Sequence, residues 1–389
     1  MIPNTSGFLK KSDAAYFEQS LTGEWRSPFS FCCIMRNKEK TYTRSAKNDE
    51  EFPMKSTIYD VAKAAGVSIA TVSKVVNQTG NISAKTREHV LHIMKELQYQ
   101  PSVVASALTG KKTSTFGLLI SDLANPFFAE VARNLEDQAQ ASGYSIVMCS
   151  TDNKDDKGLN YISLLQRKQI DGLIIACQFT KWSQLEDYIT DSLPIVLFSK
   201  DITSLTMHTV TVDDYKGGYE AIRHLLQLGH TDIGIITEDS PSGEHRVRGA
   251  KQAMKDAEIE PNEQWITVVH SSVAEGCSGA NQILQQSTRP TAIFTCNDLL
   301  AVGAMQSAHQ IGLQVPNDLS IIGFDDTILS QIVVPRLTTI AQPIPDMAKE
   351  TIQLLLRQAD NPDMPKQKIV FQPQLVSGDS TQVRETDGK

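Results

Sequence analysis

The sequence has no run of roughly eighteen apolar residues, the length a membrane-spanning helix needs, and no basic, apolar, small-residue order at its N-terminus of the kind that marks a secretory signal. A cytoplasmic protein is therefore expected. Cysteine is scarce, six in 389 residues at positions 32, 33, 149, 177, 277 and 296. These show no metal-ligand spacing and sit mostly in apolar runs, so neither disulfides nor zinc are expected. Also missing are a Gly-x-Gly-x-x-Gly turn after a strand, a phosphate-binding loop ending in Gly-Lys-Ser/Thr and a Gly-x-Ser-x-Gly elbow. The expectation is a protein that is not an enzyme, with no catalytic residue, metal or cofactor. Aromatic residues make up only 6%, but 40% of the chain is hydrophobic and 21% charged. That composition is too apolar for disorder throughout and unlike collagen, mucin or a coiled coil. The length implies two or three domains.

What is there is unevenly charged. The formal net charge is −8, but residues 1–53 carry eight Lys/Arg and seven Asp/Glu, residues 54–112 carry eight and three, and the remainder carries 21 and 35. The three segments are thus +1, +5 and −14. A compact basic block on an acidic body is the electrostatic footprint of a nucleic-acid module, although a solvated helical surface gives the same count.

Within the basic block, apolar residues at 58, 61, 62 and 65 follow helical spacing, with Thr57 as cap and Asp60 favouring the positive end of the dipole. Gly66-Val67 breaks the run, Ser68 supplies a new cap, and Ile69 to Val76 continues with Val72, Val75 and Val76 on one face. Glycine at the break permits the tight turn of a helix-turn-helix. A third helix is expected from the cap Ser83 through Val90, Ile93, Met94 and Leu97. The second helix exposes Ile69, Ala70, Ser73, Lys74 and Asn77, short or polar groups able to enter a major groove. Residues 101–112 follow as a segment too short and small-residued to bury a core. They read as a linker with a two-turn helix that needs a partner to form.

From Thr115 the chain alternates β-rich runs with amphipathic helices. The runs at 116–120, 145–148, 172–175 and 195–198 form one series, those at 233–236, 266–269, 292–295 and 320–323 a second, with helices such as 128–142, 215–228 and 298–311 between them. Such order predicts parallel sheets with helices on both faces, here as two α/β lobes split near residue 214. Ligands bind beyond the carboxyl ends of such strands, so the crevice between lobes is the expected pocket. Residues leaving those ends include Asp122, Asn125, Phe127, Cys177, Lys200, Asn297, Asp298 and Asp325. Arg246 can clamp two oxygens and Asp298 can accept from two adjacent hydroxyls, a combination suited to a sugar or sugar acid. An internal ion pair or a helix cap is the alternative for both. Phe127 and Phe128 are candidates to stack on a ring face, one of them as simple core.

The residues then resemble a known family. Tyr59-Asp60-Val61-Ala62, Gly66-Val67-Ser68, Thr71-Val72-Ser73-Lys74-Val75-Val76-Asn77 and Ser83-Ala84-Lys85-Thr86-Arg87 are similar to the head of the LacI/GalR transcriptional regulators. The similarity continues through Asn125-Pro126-Phe127-Phe128, Asp171-Gly172, Arg246-Val247-Arg248-Gly249, Cys296-Asn297-Asp298, Val315-Pro316, Gly323-Phe324-Asp325-Asp326 and Leu337-Thr338-Thr339-Ile340. It implies a homodimeric repressor with a periplasmic-binding-protein-like core and an all-α helix-turn-helix head, acting on genes of carbohydrate or sugar-acid catabolism. A small ligand between the lobes would shift affinity for double-stranded operator DNA.

Carried onto this chain, the resemblance implies DNA contacts from Thr57, Tyr59, Ser68, Ile69, Ala70, Thr71, Ser73, Lys74, Asn77 and Ser83. Ser102, Ala105, Ser106 and Leu108 of a hinge helix join them, Leu108 as a wedge into a central CG step of a pseudo-palindrome. For the ligand it implies Asp122, Asn125, Phe127, Phe128, Lys200, Arg246, Asn297, Asp298, Asp325 and Gln342. The expected organisation is an extension at 1–53, a head at 54–100, a hinge at 101–112 and a core at 113–389. Its first lobe spans 113–213 and 344–371, its second 214–343 and 372–389.

Family members usually begin where Met54-Lys55-Ser56-Thr57 stands, and the codons of Asp49-Glu50-Glu51 can spell a ribosome-binding stretch. Residues 1–53 are therefore expected to be either untranslated or a disordered extension. Two departures stand out. Lys74 replaces the family's usual Arg, and Ser199-Lys200 an Asp-Arg pair; lysine lacks the bidentate fork of arginine. The stretch from Tyr144 to Ile175 resembles the sugar-acid regulators of the family. A free solute-binding protein would suit the body alone, but it would need export.

Overall fold

The computed structural model describes residues 56–77, 79–100, 112–180, 182–186, 193–200 and 207–384. The extension at 1–53 and the hinge residues Ser102, Ala105, Ser106 and Leu108 lie outside the described residues.

Three helices form the head: α1 (Ile58–Ala65), α2 (Ile69–Val76) and α3 (Ala84–Glu96). Each begins at a hydroxyl cap. Thr57 and Asp60 bond reciprocally in a capping box, Ser68 accepts from the Thr71 N–H and Ser83 from the Thr86 N–H. Such caps satisfy backbone donors that the helix itself leaves unpaired. Gly66 closes α1 at φ +65, a left-handed conformation that glycine adopts without penalty, and the turn to α2 follows. Val61, Ala62, Ala65, Val72, Val75 and Val90 then bury one small core.

The body has two six-stranded sheets. In the first, β1 (Thr115–Ile120), β2 (Ser145–Ser150), β3 (Gly172–Ala176), β4 (Ile195–Phe198), β5 (His208–Val212) and β11 (Lys368–Phe371) lie in the order β11-β5-β4-β3-β1-β2, all parallel. The second contains β6 (Ile233–Glu238), β7 (Ile266–Val269), β8 (Ala292–Thr295), β9 (Ser320–Asp325), β10 (Thr338–Ala341) and β12 (Gln374–Val376), in the order β12-β10-β9-β8-β6-β7, with only the β10–β12 pair antiparallel. Helices α4 (Pro126–Ala141), α5 (Asp155–Arg167), α6 (Ser183–Glu186) and α12 (Ile344–Asp360) belong with the first sheet. Helices α7 (Asp214–Gln227), α8 (Pro241–Asp256), α9 (Val273–Leu284), α10 (Asp298–Gln310) and α11 (Ile328–Ile332) belong with the second. Apolar clusters cover both faces of each sheet, as buried parallel strands require.

Four strands have no place in the two sequence series. β5 reads His-Thr-Val-Thr-Val and β10 Thr-Thr-Ile-Ala, so polar residues interrupt the apolar signal although β5 is buried along its whole length. β11 and β12 are short and half exposed, and they pair with strands far away in sequence. The chain passes from the first lobe to the second after β5, returns at α12 and crosses again between β11 and β12. Among the described residues no helix is long and apolar enough to cross a membrane.

Candidate functional site

Two places gather exposed or unusual polar groups: the surface of α2 in the head, and the strand ends that face each other across the lobes. On α2, Val72 and Val75 point into the head core, leaving Ile69, Ala70 and Lys74 exposed and Thr71, Ser73 and Asn77 partly so. Tyr59 is exposed on α1. Asn77 ends α2 by donating from Nδ2 to the Ser73 carbonyl at 2.6 Å and to its hydroxyl at 3.1 Å, which ties these two candidates to each other. The stem of Lys74 runs past the turn after α2: a Cβ at Gly80 would stand 3.3 Å from its Cδ. Lysine therefore presents its ammonium from a stem that is supported on one side. Thr57, Ser68 and Ser83 are occupied as helix caps through their side-chain oxygens.

In the crevice the central residue is Arg246 on α8, only 4% exposed. Its position depends on two close approaches between α7 and α8. A Cβ on Gly218 would fall 1.9 Å from the Arg246 carbonyl oxygen and one on Gly249 1.8 Å from that of Tyr215, so only glycine fits. The contact brings Arg246 Nε to 2.7 Å from Asp214 Oδ1 at the start of α7. Nη1 donates to the Cys296 carbonyl and lies 3.6 Å from Asp325 Oδ1, while the guanidinium stacks 3.6 Å above the Phe324 ring. Burial works against the guanidinium charge, but Asp214 and Asp325 hold the proton on firmly. Burial pushes the Asp325 carboxyl well above the usual range, with Arg246 opposing the rise.

Gln342 donates from Nε2 to Asp325 Oδ1 at 2.7 Å; its Oε1 is buried and has no hydrogen-bond partner among the described residues. Across the crevice Lys200 follows β4 and Ser199. Burial lowers its pKa, and Glu238 is the strongest charge that supports it, ahead of Cys177 and Asp214. Ser199 at φ 53, Asp325 at φ 109 and Asp326 at φ 56 adopt backbone conformations rare for these residues, all at strand ends. Glu130 on α4 is pushed up by burial and then by the charge of Asp326.

Several of the ligand candidates have partners within the protein. Asp298 is 1% exposed: its Oδ2 accepts from the Thr327 N–H at 2.7 Å and hydroxyl at 2.9 Å, and its Oδ1 from the Thr339 hydroxyl at 2.8 Å. The two hydroxyls it accepts from are the protein's own. Asn297 is the residue that caps α10, and its Nδ2 donates to the Ser271 hydroxyl at 2.8 Å and to Glu238 Oε2 at 3.4 Å. Phe127 is buried in the first-lobe core with Phe128 edge-on beside it, 5.1 Å between centroids, so Phe127 is packing. Asn125 caps α4, and Asp122 caps the turn before it by accepting from Ala124 N–H. Arg246 has the internal ion pairs named above as an alternative to clamping a ligand. Missed from sequence were Asp214 and Glu238. Glu238 ends a β-rich run, so the strand-end rule applied to β6 would have found it; Asp214 carries no signal beyond starting a helix.

Residues 57–102 match the family described as bacterial regulatory proteins, lacI family, and residues 222–381 match a periplasmic binding protein-like domain. The HTH-type transcriptional regulator DegA of Bacillus subtilis is 46% identical over 333 residues, covering 84% of this chain and 98% of that protein. A ribose operon repressor of Haemophilus influenzae is 37% identical over 327 residues, covering 84% and 98%. Among solved structures, that of the lac repressor dimer bound to operator and the anti-inducer ONPF superposes with a TM-score of 0.77 at 29% identity, covering 84% of this chain and 99% of that one.

Proposed function

The chain belongs to the LacI family of bacterial regulatory proteins, and from that premise we propose that it is a homodimeric repressor of carbohydrate or sugar-acid catabolism genes whose ligand binds among Lys200, Arg246, Asp325 and Gln342. As a family member it is a sequence-specific DNA-binding transcriptional regulator. The observation that carries the ligand proposal is the buried, partnerless Oε1 of Gln342 beside the Arg246–Asp325 pair. A buried acceptor without a donor costs about 1–3 kcal/mol, and a ligand hydroxyl would supply the donor.

On the DNA side, Ile69, Ala70 and Ser73 would face base edges and Lys74 would add a point charge, while the helix N-termini that follow Thr57, Ser68 and Ser83 would face phosphates. Leu108 of the hinge would act as a wedge between base pairs. Gel shift with a pseudo-palindromic operator-like duplex tests the DNA reading, and thermal shift with pentoses, hexoses, hexuronates and ketogluconates tests the ligand reading. Arg246→Lys keeps a charge beside Asp214 and Asp325 but loses the planar fork. It is expected to fold and to lose the ligand-induced thermal shift. A purine or peptide as the only class of binder would replace the sugar assignment.

A further inference from the structure

Charge in the crevice is not evenly matched. Arg246 is compensated by Asp214 at 2.7 Å and approached by Asp325 at 3.6 Å, with the Cys296 carbonyl and the Phe324 ring completing its surroundings. Lys200 has no such partner: among the described residues no carboxylate forms an ion pair with it, although Glu238 is the leading charge it feels. Glu238 in turn is held in place by neutral donors, the Ser240 hydroxyl at 3.0 Å on Oε1 and Asn297 Nδ2 at 3.4 Å on Oε2. Lys200 stands two residues beyond the end of β4 in the first lobe and Glu238 is the last residue of β6 in the second, and among the described residues the two form no ion pair. The unpartnered Oε1 of Gln342 adds a neutral acceptor on the second-lobe side. Bringing a ligand into such a site removes water from both charges, which is unfavourable unless the ligand returns the missing opposite charges.

We propose that Lys200 and Glu238 make the crevice selective for a hydroxylated zwitterion, with the ligand's acidic group at Lys200, its protonated amine at Glu238 and a hydroxyl on Gln342 Oε1. This rests on the sugar-binding assignment above and narrows it to compounds of the amino sugar acid class. A neutral sugar would leave both charges desolvated and unpaired. A plain sugar acid would satisfy Lys200 and leave Glu238 facing hydroxyls only, and a plain amino sugar would do the reverse. Glu238 is then a specificity-determining residue, and Asn297 positions it while capping α10.

Isothermal titration of the whole protein with D-glucosaminate, D-galacturonate, D-glucosamine and D-glucose tests this. D-glucosaminate is expected to bind most tightly, by roughly tenfold over either singly charged sugar, the scale of one charge-assisted hydrogen bond gained. In Glu238→Gln its advantage over the acid should disappear while its advantage over the amine remains. In Lys200→Gln the pattern should invert. Thermal unfolding of both variants checks that they are folded, and either one alone is decisive. If wild type binds one or more of the sugars and both variants leave the order of the four unchanged, the charge assignment is overturned while the sugar reading stands. If none of the four binds at millimolar concentration while a pentose or ketogluconate gives a thermal shift, this inference fails and the sugar reading stands.

Discussion

The carboxylate of Asp298 accepts three hydrogen bonds from Thr327 and Thr339, yet burial still raises its pKa to about 7. A group whose folded pKa lies above its unfolded value stabilises the fold most fully below the unfolded pKa, about 3.9 for Asp, and loses that contribution as pH rises through the folded value. Urea unfolding should therefore show a loss of stability from this residue between about pH 4 and about pH 7. Asn at 298 can accept from Thr327 with its oxygen and donate to the Thr339 hydroxyl. Asp298→Asn is accordingly expected to fold and to remove that pH dependence. Asp298→Ala should cost about 1–3 kcal/mol by leaving the Thr327 N–H unpaired. A loss of ligand binding in Asp298→Asn with unchanged pH dependence would mean that the carboxylate serves the ligand after all. The sequence suggests Asp298 as an acceptor of ligand hydroxyls; it does not show that Thr327 and Thr339 supply those hydroxyls, because they reach it only through the turn after β9 and the start of β10.

At the level of elements, α2 and the α7–α8 crossing carry the most testable claims. Lys74 is expected to act as a cation whose point charge adds affinity while Ile69 and Ala70 add shape. Lys74→Gln should then weaken operator binding and reduce the slope of log affinity against log salt by about 1, measured by anisotropy across a salt series. An unchanged slope with relaxed base preference would instead identify Lys74 as a base reader. Gly249→Ala forces a methyl against the Tyr215 carbonyl, so α7 and α8 must separate. The Arg246–Asp214 pair should weaken and the melting temperature fall by several degrees, as about 1–3 kcal/mol of overpacking implies.

What could be read from sequence divides along these same lines. The head is legible because its caps, its Gly66 break and its apolar spacing are local signals, and each appears in the structure at the residue expected. The apolar strands of both lobes are legible for the same reason. β5 and β10 are not, since their threonines are buried by distant chain, and neither is Asp214, which carries no signal beyond starting a helix and meets Arg246 only where α7 and α8 cross.

At the scale of the whole molecule, a ligand held by two lobes is linked to a head that meets DNA. The lobes are joined by three chain crossings. A ligand changes operator affinity only through a difference in its interactions with two lobe arrangements, so the size of the coupling is itself measurable. If Leu108 is the wedge, Leu108→Ala should weaken specific binding by about 1–3 kcal/mol while leaving ligand affinity unchanged, as gel shift and calorimetry would report. The most direct test of the central claim is a titration of operator-like duplex against the protein, with and without the sugar that binds it most tightly, in wild type and in Lys200→Gln. The account predicts a fivefold or larger ligand-induced change in operator affinity for wild type, about 1 kcal/mol of coupling, that shrinks in Lys200→Gln at the same ligand concentration. Identical operator affinity with and without saturating ligand in wild type would contradict it.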